Sequence, residues 1–240
     1  MKLSIIIPTR EEGKAIVNTI DQFKNTLTIS HEVIVSDGGS IDKTVEVARS
    51  AGARVVEFDK SRPHNAAIGR NDGARIAEGE FLCFIDADVR IPNPDAFFTR
   101  ALSYFEDARI VGVCGAQRAE PAVETWADRL SFGWLNFVTW LQNNILHIGV
   151  ASGKILILRR STFDELRGFR ETLVAGEDLD VFKRVSKKGR TVFDYSLMIY
   201  HGARRAHKIG WTRLWLIWTP NIIHVAVFDR AHAKDWTPIR

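Results

Sequence analysis

Residues 79–94, GEFLCFIDADVRIPNP, run the apolar side chains Phe81 to Ile85 straight into Asp86 and Asp88. An unbroken apolar run of this length reads as a strand covered on both faces, the kind found in a parallel sheet dressed with helices. Carboxylates at the end of such a strand have to be solvated, paired or bound to a metal. Two earlier segments share the form: Leu3 to Ile7 stops at Pro8-Thr9, and Glu32 to Ser36 ends in Asp37-Gly38-Gly39. Ile16, Ile20, Phe23 and Leu27 recur at helical spacing after the first, and Val45 and Ala48 mark a helix after the second. A third strand over 54–58 and a helix over 66–77 complete the series. This alternation predicts βαβ units, a parallel sheet through the first 115 residues, and a ligand site at the strand C-terminal ends.

The second half is more mixed. A helix near 94–105, a strand over 110–114, a Trp-rich stretch over 125–148, a strand over 155–158 and a helix over 161–167 come first. GEDLDVFKRVSKKGR, a strand from Thr191 and a basic tail follow. No repeat, low-complexity segment or linker composition interrupts the chain, which predicts one domain with a C-terminal appendage. The expected division is 1–202 for the domain, with halves 1–115 and 116–202, and 203–240 for the appendage.

With 45% hydrophobic and 26% charged residues the chain is ordinary for a soluble globular protein, which excludes disorder. Of the net charge of +4, residues 201–240 carry +5, from seven Lys and Arg against Asp229 and Asp235. Cys83 and Cys114 lie in apolar runs and read as reduced core residues, excluding a disulfide framework. The opening MKLSIIIPTREEG has too short an apolar stretch for a signal peptide, which predicts a mature chain that starts there in the cytoplasm. Leu130 to Gly153 lacks formal charge but holds Asn136, Gln142, Asn143, Asn144 and His147; Leu214 to Phe228 makes only about 22 Å of helix and contains Pro220. Neither is expected to span a membrane.

A single Asp-x-Asp means little, because a chain of this length contains roughly one by chance. Asp178-Leu179-Asp180 opens a helix, where residues two apart do not face each other. Asp86 and Asp88 follow a strand, and in extended chain such positions point the same way, which suits Mg²⁺ or Mn²⁺ with open positions for water and phosphate oxygens. Asp37, with Gly38 and Gly39 permitting close approach, would repel phosphate and so suits a base N–H or a ribose hydroxyl. A turn accounts well for Asp42 and poorly for Asp37.

SIIIPTREEG, VIVSDGGSIDKT, RNDGARIAEGEFLCFIDAD and GEDLDVFKRVSKKGR, in that order, resemble glycosyltransferase family 2, the inverting transferases of GT-A fold. The resemblance covers about residues 3–202. It implies an α/β fold, a Rossmann-like mixed sheet flanked by helices, here with an amphipathic C-terminal helical appendage. It also implies inverting transfer of a sugar from a UDP- or GDP-linked donor to a hydroxyl or phosphate acceptor, with Mn²⁺ or Mg²⁺. By the resemblance Asp178 is the general base, and Glu177 positions the acceptor. Asp37, Pro8, Thr9, Glu11 and Gly38 lie on the nucleotide, as do Arg70, Asn71, Asp86 and Ala87. Asp88 is the metal ligand, joined in some members by a histidine at the place of His201. Arg204 and Arg205, next in the chain, would clamp the pyrophosphate as a closing loop.

Two departures matter. The family's common double aspartate is here Asp37-Gly38, and the Gln-x-x-Arg-Trp of processive synthases is absent from GARRAHKIGW, which argues against processive polymerisation. All seven Trp follow residue 125, and Trp211, Trp215 and Trp218 recur at i, i+4, i+7, so one helix can present all three to a membrane surface or pack them on the domain or a partner. The partners implied are a nucleotide-sugar donor and a glycan or lipid-linked acceptor, with a peripheral contact at the cytoplasmic face of a membrane and no nucleic acid. Alternatives are a sugar nucleotidyltransferase, which expects a glycine-rich basic loop where PTREEG stands, and a noncatalytic nucleotide-sugar-binding relative, which has no need of Asp178.

Overall fold

The computed structural model describes residues 3–24, 26–59, 61 and 63–228; residues 229–240 of the predicted appendage, Trp236 among them, lie outside the described residues. The strands are β1 (Leu3–Thr9), β2 (His31–Asp37), β3 (Arg54–Glu57), β4 (Phe81–Ile85), β5 (Val89–Arg90), β6 (Ile110–Ala119), β7 (Ile155–Arg159) and β8 (Arg190–His201). The helices are α1 (Ile16–Lys24), α2 (Thr44–Ser50), α3 (Ala66–Ile76), α4 (Pro94–Ser103), α5 (Trp126–Trp140), α6 (Arg160–Glu165), α7 (Glu177–Val185), α8 (Arg204–Ile209) and α9 (Trp211–Phe228).

Among the described residues these eight strands form one sheet in the order β3-β2-β1-β4-β7-β6-β8-β5. β3, β2, β1 and β4 are parallel, as the strand–helix alternation of the first 115 residues predicts. β7 then lies antiparallel between β4 and β6, while β8 is parallel to β6, which makes the whole a mixed sheet. Helices cover both faces, the GT-A arrangement expected. The Trp-rich stretch is α5, running into a π-helical turn over Leu141–Ile145, and β6 runs on past Cys114 to Ala119.

The period-two alternation of the strands divides the core. Leu3, Ile5 and Ile7 of β1 and Phe81, Cys83 and Ile85 of β4 pack with Ile16, Ile20, Phe23 and Phe98 on one face. Ile6, Leu82 and Phe84 pack with Ile34, Leu156, Phe163 and Phe182 on the other. Every residue of β4 is buried, and each large apolar side chain so placed contributes roughly 1.5–3 kcal/mol. A one-residue slip of β4 would draw Asp86 into this core, so packing fixes where the carboxylates emerge. Cys83 and Cys114 are buried and free, as expected. Among the described residues no helix is long and apolar enough to cross a membrane.

Candidate functional site

β4 ends at Ile85, and Asp86-Ala87-Asp88 forms a turn in which the Val89 amide donates back to the Asp86 carbonyl at 3.3 Å. The extended conformation expected for this pair is therefore replaced by a turn, yet the two carboxylates still converge. Lys154 Nζ lies 3.0 Å from Asp86 Oδ2 and 3.0 Å from Asp88 Oδ1. Lys154 immediately precedes β7, and its carbonyl accepts from the Asp86 amide at 3.3 Å, one step beyond the Ile85–Ile155 pair of the β4–β7 ladder. On the outer side of Asp88, Arg204 Nη2 donates to Oδ2 at 3.1 Å and to Glu12 Oε1 at 2.9 Å. Burial would raise the Asp88 carboxyl, but Lys154 and Arg204 overcome it and hold the group at about 2.

A second acidic pair opens α7. Gly176, at φ +79, supplies the left-handed residue before the helix, and Glu177 and Asp178 form its first turn. Arg70 on α3 is 4% exposed and joins the two pairs: Nη1 donates to Glu177 Oε1, and Nη2 to Asp86 Oδ1 at 3.3 Å and to the Gly153 carbonyl at 3.2 Å. By joining Glu177, Asp86 and the Gly153 carbonyl, this guanidinium braces the site. Burial first, and the neighbouring Glu177 second, raise the Asp178 carboxyl to about 7 against the pull of Arg70. Asp180, as its helical spacing predicts, belongs elsewhere: it is buried and paired with Arg170 at 2.9 Å and Arg184 at 2.8 Å.

At the ends of β1 and β2, Pro8 lies opposite Ser36 and Thr9 opposite Asp37. A turn explains Asp37 better than the sequence suggests. Its Oδ2 accepts from the Gly39 and Ser40 amides, each at 2.9 Å, and its Oδ1 from Ser40 Oγ at 2.5 Å. A Cβ at Gly38 would stand 2.3 Å from Cε1 of His64, so a larger residue there would have to displace that imidazole. Glu11 accepts the Ile41 amide at 2.8 Å, tying the loop after β1 to the loop after β2. Asn71 is drawn away from the cluster: its Oδ1 accepts the Phe169 amide and its Nδ2 donates to the Phe169 carbonyl, both at 2.9 Å. The Ala87 carbonyl accepts from Thr19 Oγ1 at 2.6 Å, and Thr9 Oγ1 is buried without a hydrogen-bond partner.

His201 ends β8 and is 5% exposed. Burial first, then Lys154, lower its pKa to about 4, so the ring is neutral at pH 7. Its Nδ1 accepts from the Ala203 amide at 3.1 Å, while Nε2 is buried with no hydrogen-bond partner. In this tautomer Nε2 carries the proton and needs an acceptor, and ligation of a metal by Nε2 requires the other tautomer and loss of the Ala203 bond. An ionised Asp88 beside Asp86 is the donor set of a hard divalent cation, so the fit rests on these carboxylates more than on His201. Among the described residues no three His, Cys, Asp or Glu side chains already converge as a metal cluster. Arg205, next to Arg204, is half-buried.

Asp128, fully buried, fastens the C-terminal helices to α5 by accepting from Trp211 Nε1 at 2.8 Å and contacting His207 Nε2 at 2.8 Å. Trp211, Trp215 and Trp218 do share a face, with neighbouring ring centroids 6.0–6.3 Å apart, but Trp211 turns inward against Phe132. Exposed apolar side chains lie instead at Trp126, Leu130 and Trp134 on α5 and at Leu216 and Ile223 on α9. A groove of about 410 Å³ between Trp140, Asn144 and residues 190–195 shares no lining residue with the acidic cluster. Sequence reasoning missed Lys154, Glu12 and His64. The first two meet Asp88 and Arg204 only through strand pairing and chain return, and no local spacing signals either.

A model of the family described as Glycosyl transferase family 2 matches residues 4–167. The chain is 28% identical over 203 residues to the O-antigen chain rhamnosyltransferase RfbN of Salmonella typhimurium, covering 80% of this chain and 63% of the relative. It is 26% identical over 226 residues to the succinoglycan biosynthesis protein ExoA of Rhizobium meliloti, covering 86% and 65%. The chain thus spans less than two thirds of the length of these relatives. Among solved structures, the mannosyltransferase PcManGT from Pyrobaculum calidifontis, in complex with GDP-Man and Mn²⁺, superposes with a TM-score of 0.74 at 18% identity, over 95% of this chain and 63% of that one. Glucosyl-3-phosphoglycerate synthase from Mycobacterium tuberculosis, with Mn²⁺, UDP-glucose and phosphoglyceric acid, gives 0.63 at 19% identity, over 95% and 79%.

Proposed function

The chain belongs to glycosyl transferase family 2, and from that premise we propose that it transfers a sugar, with inversion, from a UDP- or GDP-linked donor to a glycan or lipid-linked acceptor. One observation carries this: at the sheet ends Asp88, a carboxylate held ionised, and Asp178, one that binds a proton near neutrality, stand in two acidic pairs bridged by the same arginine. The donor's diphosphate belongs with Asp86, Asp88, Lys154 and Arg204, where two cations stand ready for its oxygens. Asp88, with Asp86 beside it, would hold a divalent ion, and the chemistry supplied there is neutralisation of charge on the leaving phosphate.

Asp178 takes the proton from the acceptor hydroxyl as that oxygen forms its bond to the anomeric carbon. The bond from that carbon to the phosphate oxygen breaks with its electron pair, and the nucleoside diphosphate departs. One displacement inverts the centre, so a single basic carboxylate suffices where glycoside hydrolysis uses two. A pKa near 7 suits a base that must be ionised at neutral pH and still hold a proton well. Arg70 keeps Glu177 and Asp86 in register, and so sets the base relative to the donor.

A bilayer-bound acceptor is supported by the apolar side chains left exposed on α5 and α9, Trp126 at 74% and Leu216 at 71% among them. RfbN and ExoA are named for O-antigen chains and succinoglycan, which supports a growing glycan as the acceptor class.

The direct test is release of nucleoside diphosphate from a panel of UDP- and GDP-sugars, with and without Mn²⁺ and with glycan or lipid-linked acceptors. Acceptor-stimulated release from one donor is the expected result. Failure to bind any UDP- or GDP-linked donor, Mn²⁺ present, would overturn the proposal. For the membrane contact, Trp126→Ser with Trp134→Ser should abolish flotation with anionic liposomes, and absence of flotation by the unaltered chain would refute it.

A further inference from the structure

Each of the four oxygens of the Asp86–Asp88 pair faces a cation of the chain itself. Asp86 Oδ1 meets Arg70 at 3.3 Å, Asp86 Oδ2 and Asp88 Oδ1 each meet Lys154 at 3.0 Å, and Asp88 Oδ2 meets Arg204 at 3.1 Å. The ammonium of Lys154 therefore stands between the two carboxylates, where a divalent ion that used both would have to be. Such an ion can enter only if one of the three cations yields.

The three are not equally tethered. Arg70 is 4% exposed and is also bound to Glu177 and the Gly153 carbonyl. Arg204 is bound to Glu12 as well as Asp88. Among the described residues Lys154 donates to the two aspartates alone, so it has no anchor outside the pair, and its ammonium rides on a flexible four-carbon stem. Its backbone is fixed all the same, because its carbonyl accepts the Asp86 amide, so the side chain swings from a constant base.

Charge supplies the direction of the swing. An ammonium cannot remain between the carboxylates when a divalent cation joins them, since the two positive charges would stand within about 4 Å of each other and repel strongly in so poorly solvated a site. A diphosphate arriving with that cation brings the oxygens on which the displaced ammonium can settle. We infer that Lys154 is a resident cation that holds the Asp86–Asp88 pair assembled before the donor arrives and passes to the donor's diphosphate when a divalent ion enters. Ion and nucleotide then bind as a coupled pair, and the ion alone binds weakly. The inference rests on the donor assignment made above and adds to it a positioning residue that sets the order of assembly.

Calorimetry on the full chain tests it, with MnCl₂ alone, UDP and GDP alone, and each in the presence of the other. In the unaltered protein the nucleotide should tighten Mn²⁺ binding about tenfold or more, and Mn²⁺ should tighten the nucleotide by the same factor. In Lys154→Met, Mn²⁺ alone should bind about tenfold tighter than in the unaltered chain, while the nucleotide at saturating Mn²⁺ binds about tenfold weaker. Lys154→Gln, which keeps a hydrogen-bond donor between the carboxylates, should move both constants the same way and serves if the methionine variant does not fold. Added Mn²⁺ should also raise the melting temperature of either variant more than that of the unaltered chain.

Unchanged or weaker Mn²⁺ binding in a folded variant would overturn the inference and leave the donor assignment standing. Loss of nucleotide binding to the same extent with and without Mn²⁺ would also overturn it, because Lys154 would then replace the ion permanently. Failure of the unaltered chain to bind either nucleotide, Mn²⁺ present, would overturn the donor assignment and the inference together.

Discussion

Asp86–Asp88 and Glu177–Asp178 are two acidic pairs at the same end of one sheet, touching the same Arg70, and one member of each, Asp88 and Asp178, shifts in the opposite direction from the other. Desolvation acts on Asp88 and Asp178 alike, and by itself would raise either. The difference lies in the neighbours. Asp88 has an ammonium at 3.0 Å and a guanidinium at 3.1 Å, and its carboxyl sits at about 2. Asp178 has the Glu177 carboxylate beside it in the first turn of α7, and its carboxyl rises to about 7. At an effective dielectric of ~20, unit charges 4 Å apart interact by about 4 kcal/mol, enough to decide which way a buried carboxyl goes. Pushing like groups apart in this manner yields one site that keeps its charge and one that can take a proton.

The largest effect should come from removing the proton acceptor. Asp178→Asn is expected to lower turnover by about 10²–10⁴-fold while leaving nucleotide affinity within about threefold, measured as diphosphate release against calorimetric binding. A comparable loss of nucleotide binding would erase the distinction between the pairs. Next, Asp88→Asn removes one partner of a buried ion cluster, at a cost of about 3–5 kcal/mol, and should weaken nucleotide binding in Mn²⁺ by roughly 10²-fold.

Glu177→Gln sharpens the comparison at its weaker end. A raised pKa means that Asp178 is protonated and inactive below about 7, so kcat/KM should climb as pH rises through that value. Burial persists in the variant but the like charge is gone, so this limb should move to lower pH by about one unit. Smallest in its effect on the chemistry is Asp180→Asn. Asp180 lies on the same helix but is paired with Arg170 and Arg184, so the pH limb should stay in place while stability falls by about 3 kcal/mol, read as a melting temperature lower by roughly 6–12 °C.

Much of the frame was legible because it rests on local pattern. The apolar runs of β1 and β4 and the helical spacing of α1 announce themselves within a few residues, and both acidic pairs lie at element ends where charge is conspicuous. What was not legible depends on distant chain meeting distant chain. Lys154 reaches Asp88 across 66 residues through an antiparallel β4–β7 pairing that no periodicity announces, and Arg204, after β8, reaches Glu12 across 192. Asn71 looked like a ligand contact because it sits in a motif, yet its amide is spent on the Phe169 backbone. A turn accounts poorly for Asp37 in the sequence, where it suits a base or ribose contact, and in the fold Asp37 also closes the turn to Ser40.

The most direct measurement of the central contrast is the titration of individually assigned aspartate carboxyl carbons by NMR in the unaltered chain and in Asp178→Asn. One aspartate should titrate near pH 7 and vanish in the variant, while the Asp88 signal remains that of a carboxylate at pH 5. If no aspartate titrates above about pH 5, or if the signal near 7 survives in Asp178→Asn, the two pairs are not divided as described and Asp178 is not the base.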